Sequence, residues 1–179
     1  MITAAERDAM LARLAETREL VHRTVEGLSA AQLQYRSDPA RWSIAENIEH
    51  IVIVEQRVLG GIEKTLQQPA DPAKRSSLTD EKFHALISRV VEPLKAPEFV
   101  SPTSRWPFNE LMREFDSTRK RTREFAVTAA DTYELRRYFM PHPAWGDLDC
   151  YQWLMLLAGH VERHCTQCEG VKSAPGFPR

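Results

Sequence analysis

Apolar residues recur at helical spacing in four long stretches of this chain, and proline separates the stretches from one another. The 11 prolines stand at 39, 69, 72, 93, 97, 102, 107, 141, 143, 175 and 178. Helix interiors exclude proline, so long helices are confined to 1–38, 40–68, 108–140 and 144–174. In the first stretch Thr3 and Glu6 form a capping-box pair, and Met10, Leu11, Leu14, Val21 and Val25 follow on one stripe; the pattern predicts a helix over 3–26, stopping near Gly27. The second opens on Ser43 with Glu46 three residues on and carries Ile44, Ile51, Val54, Val58 and Ile62, which predicts 43–68, weakened at Gly60 and Gly61. Phe108, Leu111, Met112, Phe115, Thr122, Phe125 and Ala126 predict a third helix over 108–130. The fourth is expected over 149–169, with Asp149 as its cap and Gly170 as its stop. A minor helix over 79–92, ended by Pro93, is expected in the connection between the second and third. No run alternates as a strand does, and no Asn-Gly turn appears. The reading is an all-α four-helix bundle, with 1–179 as a single domain.

Composition narrows the class. With 42% apolar and 27% charged residues and a formal net charge of −1, the chain reads as a globular protein with no general attraction to nucleic acid or anionic membrane. Its apolar runs, such as 153–157, are far too short to span a bilayer, and the first ten residues lack the basic-then-apolar pattern of a secretory signal. Three cysteines, two of them within one helical turn, argue against a disulfide framework and point to a cytoplasmic location. The basic run RKRTR at 119–123 lies between Asp116 and Glu124 and reads as a solvated helix face. His22 and His84 read as surface or packing residues.

The fourth stretch carries the chemistry, in the segment GHVERHCTQCEG at 159–170. Projected on a helical wheel, Trp153, Leu156, Leu157, His164 and Gln167 all fall on the same face as His160. Both histidines therefore continue the apolar stripe that faces the core. A buried imidazole must satisfy both a donor and an acceptor, and one metal ion would satisfy two acceptors at this spacing. Glu162 lies on the far side, so this is not the zinc-protease arrangement. Cys168 falls on the edge of the histidine face, and Cys165 points away from it. Both sit at a helix C-terminus, where the dipole disfavours a thiolate, so they read as packing residues, with Cys168 a minor candidate ligand.

A third ligand has to come from another helix, and His50 is the candidate. It lies roughly 10 Å into the second long helix, while His164 and His160 lie about 8 and 13 Å from the end of the fourth. The three rings are level only if these two helices run antiparallel. An up-up-down-down order provides this, with crossovers of about 16 and 18 residues that can each stretch to roughly 50 Å.

These residues resemble the DinB/YfiT-like superfamily. RWSIAENIEHIVIVE (41–55), with Trp42, Ser43, Glu46 and His50, is similar to its second-helix signature; HPAWGDLDCYQWLMLLAGHVERHCTQ (142–167), with His142, Pro143, Gly146, His160, Arg163, His164 and Gln167, is similar to its C-terminal one. The resemblance implies a four-helix bundle of unusual connectivity, frequent homodimers, and a divalent metal, often nickel or zinc, held by His50, His160 and His164. It also implies either S-transfer with a low-molecular-weight thiol such as bacillithiol, mycothiol or glutathione, or metal-dependent hydrolysis. A small-molecule substrate is expected in both cases; the alternative is a bundle that holds a metal or small ligand and catalyses nothing. Glu46, one turn before His50, is expected to orient that ring, and Gln167 to contact a bound water or substrate. Trp42, Trp106, Trp145 and Trp153 are further candidates for the pocket wall.

Overall fold

The computed structural model describes residues 1–87 and 97–179. Four long helices dominate it: α1 (Ala4–Val25), α3 (Ile44–Thr65), α5 (Phe108–Thr132) and α6 (Cys150–Lys172). Two short helices, α2 (Ala30–Gln34) and α4 (Asp80–Ile87), lie in the connections. The ends follow local chemistry. Thr3/Glu6, Ser43/Glu46 and Asp149/Gln152 each close a reciprocal capping box, satisfying amides that the first helical turn leaves unpaired. Ser29/Gln32 does the same for α2, which apolar periodicity alone does not reveal. α6 passes through Gly170 to Lys172, because that glycine does not take the left-handed backbone that would end the helix. α3 ends at Thr65, three residues before the expected end. Of the minor helix, Asp80–Ile87 is described, opened by Thr79 accepting from the amides of Lys82 and Phe83; its expected continuation to 92 and the stop at Pro93 lie outside the described residues.

A two-stranded antiparallel hairpin, β1 (Phe139–His142) and β2 (Gly146–Asp149), corrects the expectation of a strand-free chain. Two features explain why alternation does not betray it: each strand has four residues, and Pro141 lies inside β1. Gly146 takes the left-handed backbone (φ 72°), and an added Cβ there would sit 2.5 Å from Ser77 Oγ. The segment before α4 laces onto the hairpin through Ser77 N–H to Asp147 O and Asp147 N–H to Ser77 Oγ. At Gly61 the missing side chain lets Met140 of β1 approach α3.

Side-chain pairs give the helix directions. Arg7–Asp131 and His22–Asp116 make α1 and α5 antiparallel. Glu55–Arg119 and Glu63–Arg121 make α3 and α5 parallel. Asn47–His164 and His50–His160 make α3 and α6 antiparallel, as the histidine depths require. The bundle and this pairing are as expected, but the route differs. In chain order the long helices run up, down, down, up, so the long crossover is the connection from α3 to α5 and not the two connections assigned from their lengths. Depth along the helices constrains only the relative sense of α3 and α6, and two routes satisfy it.

Apolar side chains fill the bundle in layers. Leu14, Ile62, Ala126 and Leu154 belong to one cluster, and Val21, Val52, Phe115 and Val161 to the next. Between them lies a buried polar layer. Arg119, fully buried, reaches Glu55 at 2.8 Å and Thr17 Oγ1 at 3.2 Å. This corrects the reading of 119–123 as uniformly solvated: Lys120, Arg121 and Arg123 are exposed, while Arg119 and Thr122 occupy the inward stripe of α5. Burial pushes the Glu55 carboxyl up, opposed by Arg119, and disfavours the charge on Arg119, opposed by Glu55.

Candidate metal centre

His50 comes from the second turn of α3, and His160 and His164 come from one face of α6. One ligand nitrogen of each ring lies within 4.8 Å of the others, and no further histidine, cysteine, aspartate or glutamate joins the group among the described residues. The ring centroids are 4.5–5.0 Å apart. His50 and His164 are buried, whereas His160 retains partial exposure.

Hydrogen bonds fix two of the three tautomers. His50 Nδ1 is 2.8 Å from Val100 O, and a carbonyl can only accept, so the proton is on Nδ1 and Nε2 carries a lone pair. His164 Nδ1 is 2.8 Å from Asn47 Oδ1. The Asn47 amide cannot turn over, because its Nδ2 donates to Ser43 O at 2.9 Å. His164 Nε2 therefore carries a lone pair as well. His160 Nε2 lies 3.2 Å from His50 Nε2. With its proton on Nε2, His160 donates to His50; with the proton on Nδ1, it offers a third lone pair to the same point.

The donor set suits a borderline divalent ion. Two nitrogens each about 2.0–2.1 Å from a tetrahedral ion are about 3.3 Å apart, close to the His50–His160 spacing. The rings are also kept neutral. Burial pulls His164 down to about 3, helped by His50 and Arg163, with Gln167 acting in the opposite direction. Burial, then His164 and His50, then Arg163 and Arg119, hold His160 well below the ordinary imidazole range. Burial also lowers His50, opposed by its bond to Val100.

The other candidates divide. Glu46 does not orient His50: its carboxylate closes the Ser43 capping box and pairs with Arg36. Helical spacing could bring Glu46 alongside the ring, but the cap claims it first, and the backbone of Val100 performs the orienting role. Gln167 stands beside His164, where it favours the charged ring. Trp42 walls the site, 4.7 Å from His50 and stacked 6.1 Å from His164. Trp106 instead lies under Arg105, and Trp145 and Trp153 gather around His142, away from the three imidazoles. Cys165 packs toward Thr24 of α1 and Cys168 toward Ile44 and Val171, and burial raises both thiols, Cys165 to about 11. A cavity of about 270 Å³ between α1 and α6, lined by Arg23, Glu162, Cys165 and Glu169, opens on another face of α6. Sequence reasoning missed Asn47 and Val100. Asn47 was detectable, since it lies three residues before His50 on the same face; Val100, a backbone acceptor fifty residues away, left no signal.

With the bundle, the hairpin and the three imidazoles in place, comparison with known proteins fixes the family. The sequence profile of the DinB superfamily matches residues 13–168, and the chain belongs to that superfamily. It is 24% identical over 149 residues to the uncharacterized protein YuaE of Bacillus subtilis (strain 168), covering 83% of this chain and 88% of that one. Its fold is similar to that of YfiT from Bacillus subtilis, described as a probable metal-dependent hydrolase with an unusual four-helix bundle topology. The TM-score is 0.66 at 13% identity, over 99% of this chain and 92% of that chain. Among the described residues, no helix is long and apolar enough to cross a membrane.

Proposed function

We propose that this chain is a divalent-metal-dependent enzyme that activates a small nucleophile, water or a low-molecular-weight thiol, against a small-molecule substrate. His50, His160 and His164 are the ligands, and zinc or nickel is the ion their chemistry suits. The observation that carries the reading is the pair of locked tautomers. Val100 O and Asn47 Oδ1 each hold a proton on Nδ1, so two buried Nε2 lone pairs converge beside a third imidazole that can add its own.

A bound divalent ion supplies Lewis acidity and lowers the pKa of the nucleophile it holds. The chain contributes the remainder. Three neutral side chains would leave the charge of a bound ion uncompensated, so that it could act on a small molecule beside His50, His160 and His164. Trp42 closes one wall against water and presents an apolar face to a substrate. Gln167, next to His164 and half-buried, would hydrogen-bond the nucleophile or the substrate, a role its nearness to His164 supports. The homodimer implied by the family resemblance and the cytoplasmic location suggested by the cysteine count form part of the proposal.

The test begins with metal analysis of protein purified without an affinity tag. About one ion per chain is expected, and His160→Ala should remove it. Activity is then screened in metal-loaded protein with esters and amides, and separately with electrophiles plus bacillithiol, mycothiol or glutathione. Hydrolysis without a thiol selects the hydrolase, and thiol-dependent conjugation selects the transferase. Tight metal binding with neither activity would replace the enzyme with a metal-holding binding protein.

A further inference from the structure

Two consecutive residues of α3 grip the same piece of the α3–α5 crossover. His50 gives its Nδ1 proton to Val100 O, the last residue of a single 3-10 turn over Glu98–Val100. Glu49, 3% exposed, receives the chain a few residues further on. The amide of Thr103 donates to Glu49 Oε1 at 2.9 Å, that of Ser104 to Oε2 at 2.9 Å, and that of Arg105 to Oε1 at 3.3 Å. Arg105 Nε approaches the same carboxylate at 3.4 Å. Three successive amides turn inward because Ser104 adopts the left-handed backbone, φ 55°, the only non-glycine residue to do so among those described. Such a concavity of amides is an anion nest, and here the anion is the protein's own side chain.

We infer that Glu49 is a positioning residue for the metal centre: by anchoring residues 103–105 it fixes the Val100 carbonyl, and through that carbonyl the tautomer and aim of His50. This deepens the proposed function and rests on it for the metal itself. A second anchor of this stretch is Arg57 over the Phe99 ring at 4.9 Å. Phe99 is 62% exposed, so that contact competes with water, whereas the Glu49 carboxylate is shielded. The two oxygens of Glu49 accept from different amides, so a glutamine would both lose the charge and set its NH₂ against a donor. A ring that loses its fixed acceptor is free to exchange tautomers, and part of that population presents a proton where a lone pair is needed.

Glu49→Gln attacks the clamp from the helix. Ser104→Pro attacks it from an exposed loop position without touching the bundle: proline has no N–H and cannot adopt the left-handed backbone. Ser104→Gly keeps both the amide and the backbone angle. Metal-free protein labelled with ¹⁵N-histidine reports the tautomer directly. Wild type and Ser104→Gly should give one fixed Nδ1–H form at His50; Glu49→Gln and Ser104→Pro should give averaged ring nitrogens. In competition titrations with zinc, the latter two should bind about 10–100-fold more weakly, the usual loss when a group behind a ligand is removed. A fixed His50 tautomer in both disrupted variants would overturn the inference, as would averaged rings with unchanged zinc affinity. Wild-type protein that binds no divalent ion would instead sink the proposed function, and the tautomer measurement would still decide the role of Glu49.

Discussion

His164 and Asn47 form a relay across the α3–α6 interface: the imidazole donates to Asn47 Oδ1 at 2.8 Å, and the amide donates onward to Ser43 O. Asn47 thus ties a residue of the metal group to the cap of the opposite helix. Asn47→Leu removes the acceptor and frees the His164 ring. Zinc affinity should fall about 10–100-fold, and stability by about 1–3 kcal/mol for the unmet buried donor. Zinc competition and urea unfolding of the metal-free protein measure the two losses separately; unchanged affinity would remove Asn47 from the site.

The cysteines should prove chemically quiet. Cys165 and Cys168 are buried in separate clusters, and burial holds both thiols protonated at neutral pH. Cys165→Ser and Cys168→Ser are expected to leave metal stoichiometry unchanged, measured by atomic absorption. Loss of the ion in Cys168→Ser alone would mean a mixed histidine–cysteine site.

The Arg119–Glu55 pair predicts an asymmetric result. Arg119→Met leaves a buried carboxylate without its cation and should cost about 3–5 kcal/mol. Combining it with Glu55→Leu should recover most of that loss, because the pair is incompletely satisfied to begin with: Glu55 Oε1 and Arg119 Nε have no hydrogen-bond partner among the described residues. Denaturant unfolding of the two single variants and the double variant gives the coupling. A double variant as weak as Arg119→Met would mean the layer stabilises the bundle in its own right.

Acid should destabilise the metal-free protein early. His142 is held down to about 4 and His164 to about 3, against an ordinary value of 6.5, in both cases chiefly by burial. Their folded pKa values lie below the unfolded one, so the unfolded chain takes up the protons first. Stability should be full above about pH 6.5 and decline as pH falls toward about 4. Melting temperature measured across that window tests the sign, and His142→Phe should flatten the decline. A flat profile in wild type would mean the folded rings take up protons as readily as the unfolded ones.

The sequence carried the long helices because their caps and stripes are local: Thr3/Glu6 and Ser43/Glu46 announce themselves within four residues, and Asp149 marks the start of the fourth. It carried the histidine cluster because i, i+4 spacing and helix depth survive translation into three dimensions. It did not carry the partners of those histidines. Glu46 looked like the support for His50 by spacing, but a capping box and Arg36 hold it. The acceptor in use is a main-chain carbonyl, and every residue has one, so nothing in the side chains marks Val100. Arg119 was hidden in another way, since one inward position in a basic run cannot be told from its exposed neighbours without the phase of α5.

The parallel course of α3 and α5 obliges the chain to travel the length of the bundle between them, and that passage touches the site on both sides. Ile87 presses on Gly159, where an added Cβ would meet it at 3.0 Å, and Val100 holds His50. The group of imidazoles is therefore shared between the helices, which carry all three rings, and the crossover, which aims one of them. Ile87 packs beside His160's neighbour on α6, so a substitution at this end of the crossover would change the surroundings of one imidazole while leaving the four long helices as they are.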